Sequence, residues 1–319
     1  MSVRQQVRFW KEAASGQGTD YAADPFVVPD TPTKNVDFIC PRINDANSFA
    51  VRKAPIQKVI RGADGYNKKT QLFSSQFTVS GAFSFPLYPE HCAFWAYALT
   101  PDATTGDLPS FVADQAIEQV DGTLQYRRYL GCKLQTATIA GTSDTNMFVI
   151  SGNILGKMTQ TTAVTSTDFE DIVASFYPSI TSYPYRFTDA GTPGYVKLNN
   201  SNQAEYNSVS ISINNILDAT FNESSYVSRI RFCGRDITWE DNFVLASNTY
   251  RGWFEANTQL STANTIKLDN GTNSFTIALG SAAFVTGVND ELPFDSVHRQ
   301  TVQFTNLWDG TADLTLTAS

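Results

Sequence analysis

The chain has 319 residues, with 23 Lys and Arg against 31 Asp and Glu, a net charge of −8 and only 17% charged residues. A protein that wraps nucleic acid by neutralising phosphates carries the opposite balance, so tight DNA binding is disfavoured and the acidity reads as solvation. The length allows two domains, each with its own core. No run nears the roughly 18 apolar residues of a membrane span, and the start MSVRQQVRFWKEAASGQG lacks the apolar centre of a secretory signal, which implies a soluble protein that stays where it is made.

Aromatic residues at 13%, with abundant Thr, Ser, Asn and Gly, fit an all-β protein with many turns. Residues 1–75 are weakly periodic. DPFVVPDTPTKNVDFICPRI is rich in proline and RGADGYNKKT is polar, with one short strand at 56–60 between them, so this part reads as an arm and long loop that orders on assembly.

The stretch FTVSGAFSFPLYPEHCAFWAYAL (77–99) changes period midway. Phe77, Val79, Gly81, Phe83 and Phe85 alternate with small polar residues as in a half-buried strand. Pro86 ends the ladder, Pro89 suits a first helical turn, and Cys92, Trp95, Ala96 and Leu99 form one apolar helix face. After the loop TPDATTGDLP (100–109) come alternating strands in YLGCKLQTATIAG (129–141) and MFVISGNILGK (147–157). Residues 159–205 read as a connection leading into a hairpin, with strands at 185–188 and 195–198 around DAGTPG.

Val209, Ile211 and Ile213 alternate at the start of a second half, and DITWEDNFVLASNTYRGWFEA (236–256) repeats the strand-to-helix passage. Ile237, Phe243, Leu245 and Trp253 fall opposite Val79, Phe85, Leu87 and Trp95 without a gap. Ser247 or Asn248 is the N-cap expected there, and Tyr250, Trp253 and Phe254 form the helix stripe. SFTIALGSAAFV (274–285) reads as one alternating strand, QTVQFTNLW (300–308) closes the half, and ADLTLTAS is a last edge strand. The pattern indicates a degenerate internal duplication.

Chemistry is hard to place on this chain. Cys40, Cys92, Cys132 and Cys233 lie far apart without a CxxC pair, and His91 and His298 are the only histidines. Neither a disulfide framework, a metal site nor a cofactor is expected, and reduced, partly buried thiols are. Each histidine reads as an exposed or capping group before a general base. The Asp-Asn-Gly tripeptides lack the spacing of a calcium loop, and the phosphate-cradle and nucleophile-elbow motifs are absent. YRRYLG places Arg127 and Tyr129 on one strand face, which reads as an exposed strand face or a subunit contact before a nucleic-acid surface. No catalytic residue is assigned. A carbohydrate-binding β-sandwich, stacking sugars on Trp10, Trp239, Trp253 or Trp308, is the alternative function.

TVSGAFSFPLYPEHCAFWAYALTP, LPSFVADQ, YRRYLGCKLQTATIAG and FVISGNILGK together resemble the tail tube proteins of long-tailed, non-contractile bacteriophages. The matching positions are Tyr129, Gly131, Cys132, Lys133, Gly156 and Lys157. SVSISINNIL, GRDITWEDNF and FTIALGSAAFV are similar in the second half. The resemblance implies an all-β fold with short helices: two tandem β-sandwich tail-tube domains, 76–158 and 206–319, assembling into a closed inner β-barrel ring. It implies self-association into trimeric, pseudo-hexameric rings stacked as a conduit for DNA ejection. Tape-measure and tail-end proteins would be partners, double-stranded DNA would pass without specific binding, and no membrane would be involved. The protein would reside in the virion tail after assembly in the host cytoplasm, and would catalyse nothing.

Overall fold

The computed structural model describes residues 5–12, 37–41, 48–61, 69–119, 121–160, 163–164, 180–191, 193–203, 205–221, 226–244, 249–260, 262, 264–280, 283–291, 298–306 and 313–319. The first strands are β1 (Gln5–Lys11), β2 (Phe38–Ile39), β3 (Arg52–Arg61) and β4 (Lys69–Pro86). Val79, Phe83 and Phe85 on β4 are buried while Ala82 and Ser84 are exposed, so the alternation read from sequence fixes which face meets the core. A 3-10 turn at Pro89–His91 leads into α1 (Cys92–Leu99). Then follow β5 (Phe111–Glu118), β6 (Leu124–Thr142), β7 (Met147–Gly156) and β8 (Met158–Thr159).

The second half has β9 (Tyr195–Leu198), β10 (Ser201–Asn202), β11 (Tyr206–Phe221), β12 (Val227–Val244) and α2 (Thr249–Glu255). It ends with β13 (Thr265–Asp269), β14 (Ser274–Leu279), β15 (Ala283–Glu291), β16 (Arg299–Asn306) and β17 (Leu314–Ala318). Among the described residues, one 12-stranded sheet and one 5-stranded sheet, β10-β9-β13-β14-β17, hold these strands.

β6 divides the large sheet. Its first part pairs with β5 and β8, beside β1 and β2, while its second part pairs with β7 and β11. The change of direction is at Gly131, whose φ of +61° suits glycine and where a Cβ would lie 2.7–3.0 Å from the Lys157 side chain. The smaller sheet and the β1-β2-β5 wing supply Phe9, Phe111, Val196, Ile266, Phe275 and Leu314 to one apolar core shared with the large sheet. The result is a layered all-β fold with two short helices, and no barrel closes within the described residues.

Beyond the wing, the large sheet runs β3-β4-β7-β6-β11-β12-β16-β15. The order β3-β4-β7-β6 recurs as β11-β12-β16-β15: a hairpin, then the closing strand, then the strand that precedes it in the chain. Irregularities recur too. An extra residue interrupts β4 at Ser75 and β12 at Cys233, each opposite the partner strand's Ile-to-next step. A second extra residue falls at Gln135 in β6 and Thr286 in β15. Counted from these bulges, Val79 matches Ile237 and Phe85 matches Phe243, the alignment expected from sequence.

Several expectations are corrected. The stretch 1–75, read as an arm with one short strand, supplies β1, β2, β3 and the start of β4; Val7, Phe9 and Trp10 are buried, and the rest of that reading lies outside the described residues. Residues 185–188 are not a strand: the Asp189 carboxylate accepts the Arg186 backbone N–H at 2.8 Å, and the chain turns into a 3-10 segment at Phe187–Ala190. β9 pairs instead with β13 and β10. The strand read at 274–285 is two, β14 in the small sheet and β15 in the large one. The N-cap expected at Ser247 or Asn248 lies outside the described residues.

Candidate assembly surface

Besides the two-residue β2 and β8, two long strands of the large sheet have an open edge among the described strands. β3 pairs on one side only, with β4, and β15 pairs along its length only with β16. An edge strand presents unpaired N–H and C=O groups and is a template for another chain. β3 is guarded as such edges are: it carries Arg52 and Lys53, both exposed, and Pro55, which lacks an N–H.

The face opposite the core is a field of hydroxyls and amides. Cross-strand register lines up Ser84, Ser151, Thr138, Ser212, Thr238 and Thr305 in one row across β4, β7, β6, β11, β12 and β16. Thr138 and Ser212 share a hydrogen bond of 3.1 Å between their hydroxyls. The next row contains Ser210, Glu240 and Gln303, with the Gln303 amide donating to Glu240 Oε2 at 2.6 Å. On the other side, Asn153, Thr136, Asn214 and Asp236 align. The ionisable groups named in these three rows are the carboxylates of Glu240 and Asp236; elsewhere on the same face stand the exposed Arg52, beside Ser80, and Arg231, beside Asp218.

The residues singled out from sequence take structural places. Gly131, Cys132 and Lys133 form the bend of β6: the Gly131 N–H donates to Glu12 Oε1 at 2.9 Å, and Cys132 is buried beside Gly156. Lys133 is fully buried. Its ammonium donates to Asp107 Oδ1 at 2.9 Å and to the Ile230 carbonyl at 2.7 Å, while the Phe232 N–H donates to the same carboxylate oxygen at 3.0 Å. Loop 100–109 and the β11–β12 hairpin are thus fastened to the bend. Sequence reasoning quoted Lys133 for its resemblance but missed this use of it, because Asp107 and Ile230 are remote in the chain.

Arg127 and Tyr129 do not make a shared surface. Arg127 is exposed, but the Tyr129 hydroxyl is turned inward and donates to the Val51 carbonyl at 2.9 Å. The buried cation is Arg128, bidentate on Asp114 at 2.7 and 2.9 Å, an aspartate that also accepts the Trp10 indole N–H at 3.1 Å. His91 is buried and His298 exposed. Cys92 and Cys132 are buried with thiols pushed up by desolvation, Cys40 is pushed up to about 12 chiefly by burial, and Cys233 is exposed. Among the described residues no group of three His, Cys, Asp or Glu could hold a metal. Trp10, Trp95 and Trp239 are fully buried and Trp253 half-buried, so these offer no open stacking platform; Trp308 lies outside the described residues.

A layered β-protein with two open edges, a hydroxyl-lined face and polar side chains spent on bracing strands is built for assembly. The chain matches the family model described as phage tail tube protein over residues 3–305, nearly its whole length, and belongs to that family. It is a structural component of the virion tail, where such subunits self-assemble into the rings of the tube. A comparison with curated proteins finds no match.

Proposed function

We propose that three copies close into one ring, the open β15 edge of each meeting the open β3 edge of the next, with the hydroxyl face inward. The observation that carries this is the recurrence of one four-strand order, bulges included, in the two parts of the large sheet. A chain with two such units, 76–158 with its leading strand and 206–319, supplies in threes what six single units would supply. We read this as an internal duplication, and closure removes both edges.

Size supports the count. Three copies of these eight strands give about 24, spaced ~4.8 Å and tilted ~35–45°, for a backbone diameter of roughly 45–52 Å. Lined with side chains, that still admits a DNA duplex. Half as many strands would be too tight, and twice as many far wider than the cargo needs.

The inward rows suit passage. Hydroxyls and amides remain hydrated, and Glu240 and Asp236 repel phosphates in the central rows, with Arg52 on the same face at the seam between copies. In this reading the tape-measure protein and then DNA move through without specific binding, tail-end proteins cap the stack, and no bond is broken. Assembly takes place in the host cytoplasm. Native mass spectrometry of isolated rings tests the count: three chains per ring are expected, and six would overturn the proposal.

A further inference from the structure

The large sheet contains one junction between its four-strand units, β6 against β11, and the ring reading requires a second of the same kind between copies. We propose that the junction between copies repeats the internal one register for register, with Arg52 on β3 opposite Asn289 on β15 of the neighbouring copy. The inference rests on the ring reading and adds the pairing.

Counting from the bulges gives the register. Thr138 stands three residues after Gln135, and Asn289 stands three after Thr286, so Asn289 occupies the place of Thr138. Ser80 stands five residues after Ser75, and Thr238 five after Cys233; Arg52 pairs with Ser80 as Ser212 pairs with Thr238. Arg52 therefore occupies the place of Ser212. Inside the chain Thr138 and Ser212 face each other directly. The same count sets Ala54 opposite Gly287, Lys53 opposite Val288 and Val51 opposite Asp290.

Two further observations agree. The internal ladder stops at Asn214, and the residue after it, Asn215, has Pro55 as its counterpart. The proline thus falls one step beyond the last pair, where its missing N–H costs the ladder nothing. Arg52 and Asn289 are both exposed, whereas Ser212 and Thr138, covered by each other's strands, are half-buried. The difference in exposure is the one that a neighbouring strand would remove.

Arg52→Cys with Asn289→Cys, in a Cys233→Ser background that removes the exposed native thiol, tests the register by oxidation of assembled tubes. Thr138→Cys with Ser212→Cys calibrates the geometry within one chain, and Arg52→Cys with Gly287→Cys is the shifted control. The expected result is covalent trimers that reductant returns to monomers, with the shifted pair at background. Preferential crosslinking of the shifted pair, or none in either, in tubes that electron microscopy shows intact overturns the register and leaves the ring standing. Absence of rings overturns both. In the unmodified protein, the edge-facing backbone amides of Val51, Lys53, Val288 and Asp290 should gain hydrogen-exchange protection on ring formation; unchanged protection would also overturn the pairing.

Discussion

Phe83 lies flat on Trp95, ring centroids 5.6 Å apart and planes within 6°, beneath a helix with five buried residues. At the matching place in β12 stands Asp241, and the matching helix, α2, has no fully buried residue: Tyr250 and Trp253 are half-buried and Phe254 is 45% exposed. The frames agree bulge for bulge while their fillings differ. A neighbour in a sheet reads backbone hydrogen bonds and register, so edge geometry is held in common. The core is read only from within the chain, and there the surroundings of the two helices are free to differ.

The sharpest way to break this comparison is to remove the corresponding indoles. Trp95→Ala opens a cavity beside Phe9, Phe83 and Phe94 and should cost about 3–5 kcal/mol in chemical denaturation. Trp253→Ala, at a half-buried site against Tyr250, should cost less than half as much. Equal costs would show that the core beneath α2 is as well filled as that beneath α1.

Lys133 offers the next contrast, since its counterpart three residues before the matched Gly287 is Phe284, which needs no ion partner. Lys133→Met leaves the Ile230 carbonyl and Asp107 without their ammonium and should destabilise by about 3 kcal/mol. Amide exchange at 230–232 should accelerate before the rest of the sheet. Uniform acceleration would mean that the ion pair does not fasten this hairpin in particular.

How much of this was legible beforehand follows from what side chains record. Hydrophobic alternation marked β4, β7, β16 and the middle of β6 and β11, because burial on one face is written in every second residue. β1 was missed because QQVRFWK contains Arg8, buried at 3% exposure and in register with Asp114, a partner more than a hundred positions away. β3 was read at half its length since Arg52, Lys53 and Pro55 break the pattern; those residues mark it as an edge. Bulges and open edges are properties of hydrogen-bond register, and no single side chain announces them. The family resemblance supplied the role, while the residues that looked chemical turned out to be braces.

Asp241 gives the effect with a distinctive pH signature. Its side chain is buried between Val209 and Val302 in the sheet register, and among the described residues neither carboxylate oxygen has a partner in hydrogen-bond geometry. Burial pushes the carboxyl up to about 8; the nearby Trp239 indole pulls it down without being aligned to bond, and Glu240 adds to the rise. The groups whose own titration feels it are the Tyr206 and Tyr250 hydroxyls, both raised to about 12 chiefly by burial. With the folded pKa above the unfolded one, both states are protonated below about pH 4 and the site costs nothing there. As pH rises toward 8 the unfolded chain ionises first, so stability is lost through that window and levels off above it. Asp241→Asn should flatten this slope and gain in stability on the parent as pH rises toward 8, with no difference from the parent at pH 4. Phe83, already apolar at the matching place, provides the reference: Phe83→Leu should leave the pH dependence unchanged. A parent protein whose stability instead rises between pH 4 and 8 by an amount that Asp241→Asn abolishes would mean that the carboxylate is ionised and partnered in the fold, and the asymmetry between the two cores would have to be located elsewhere.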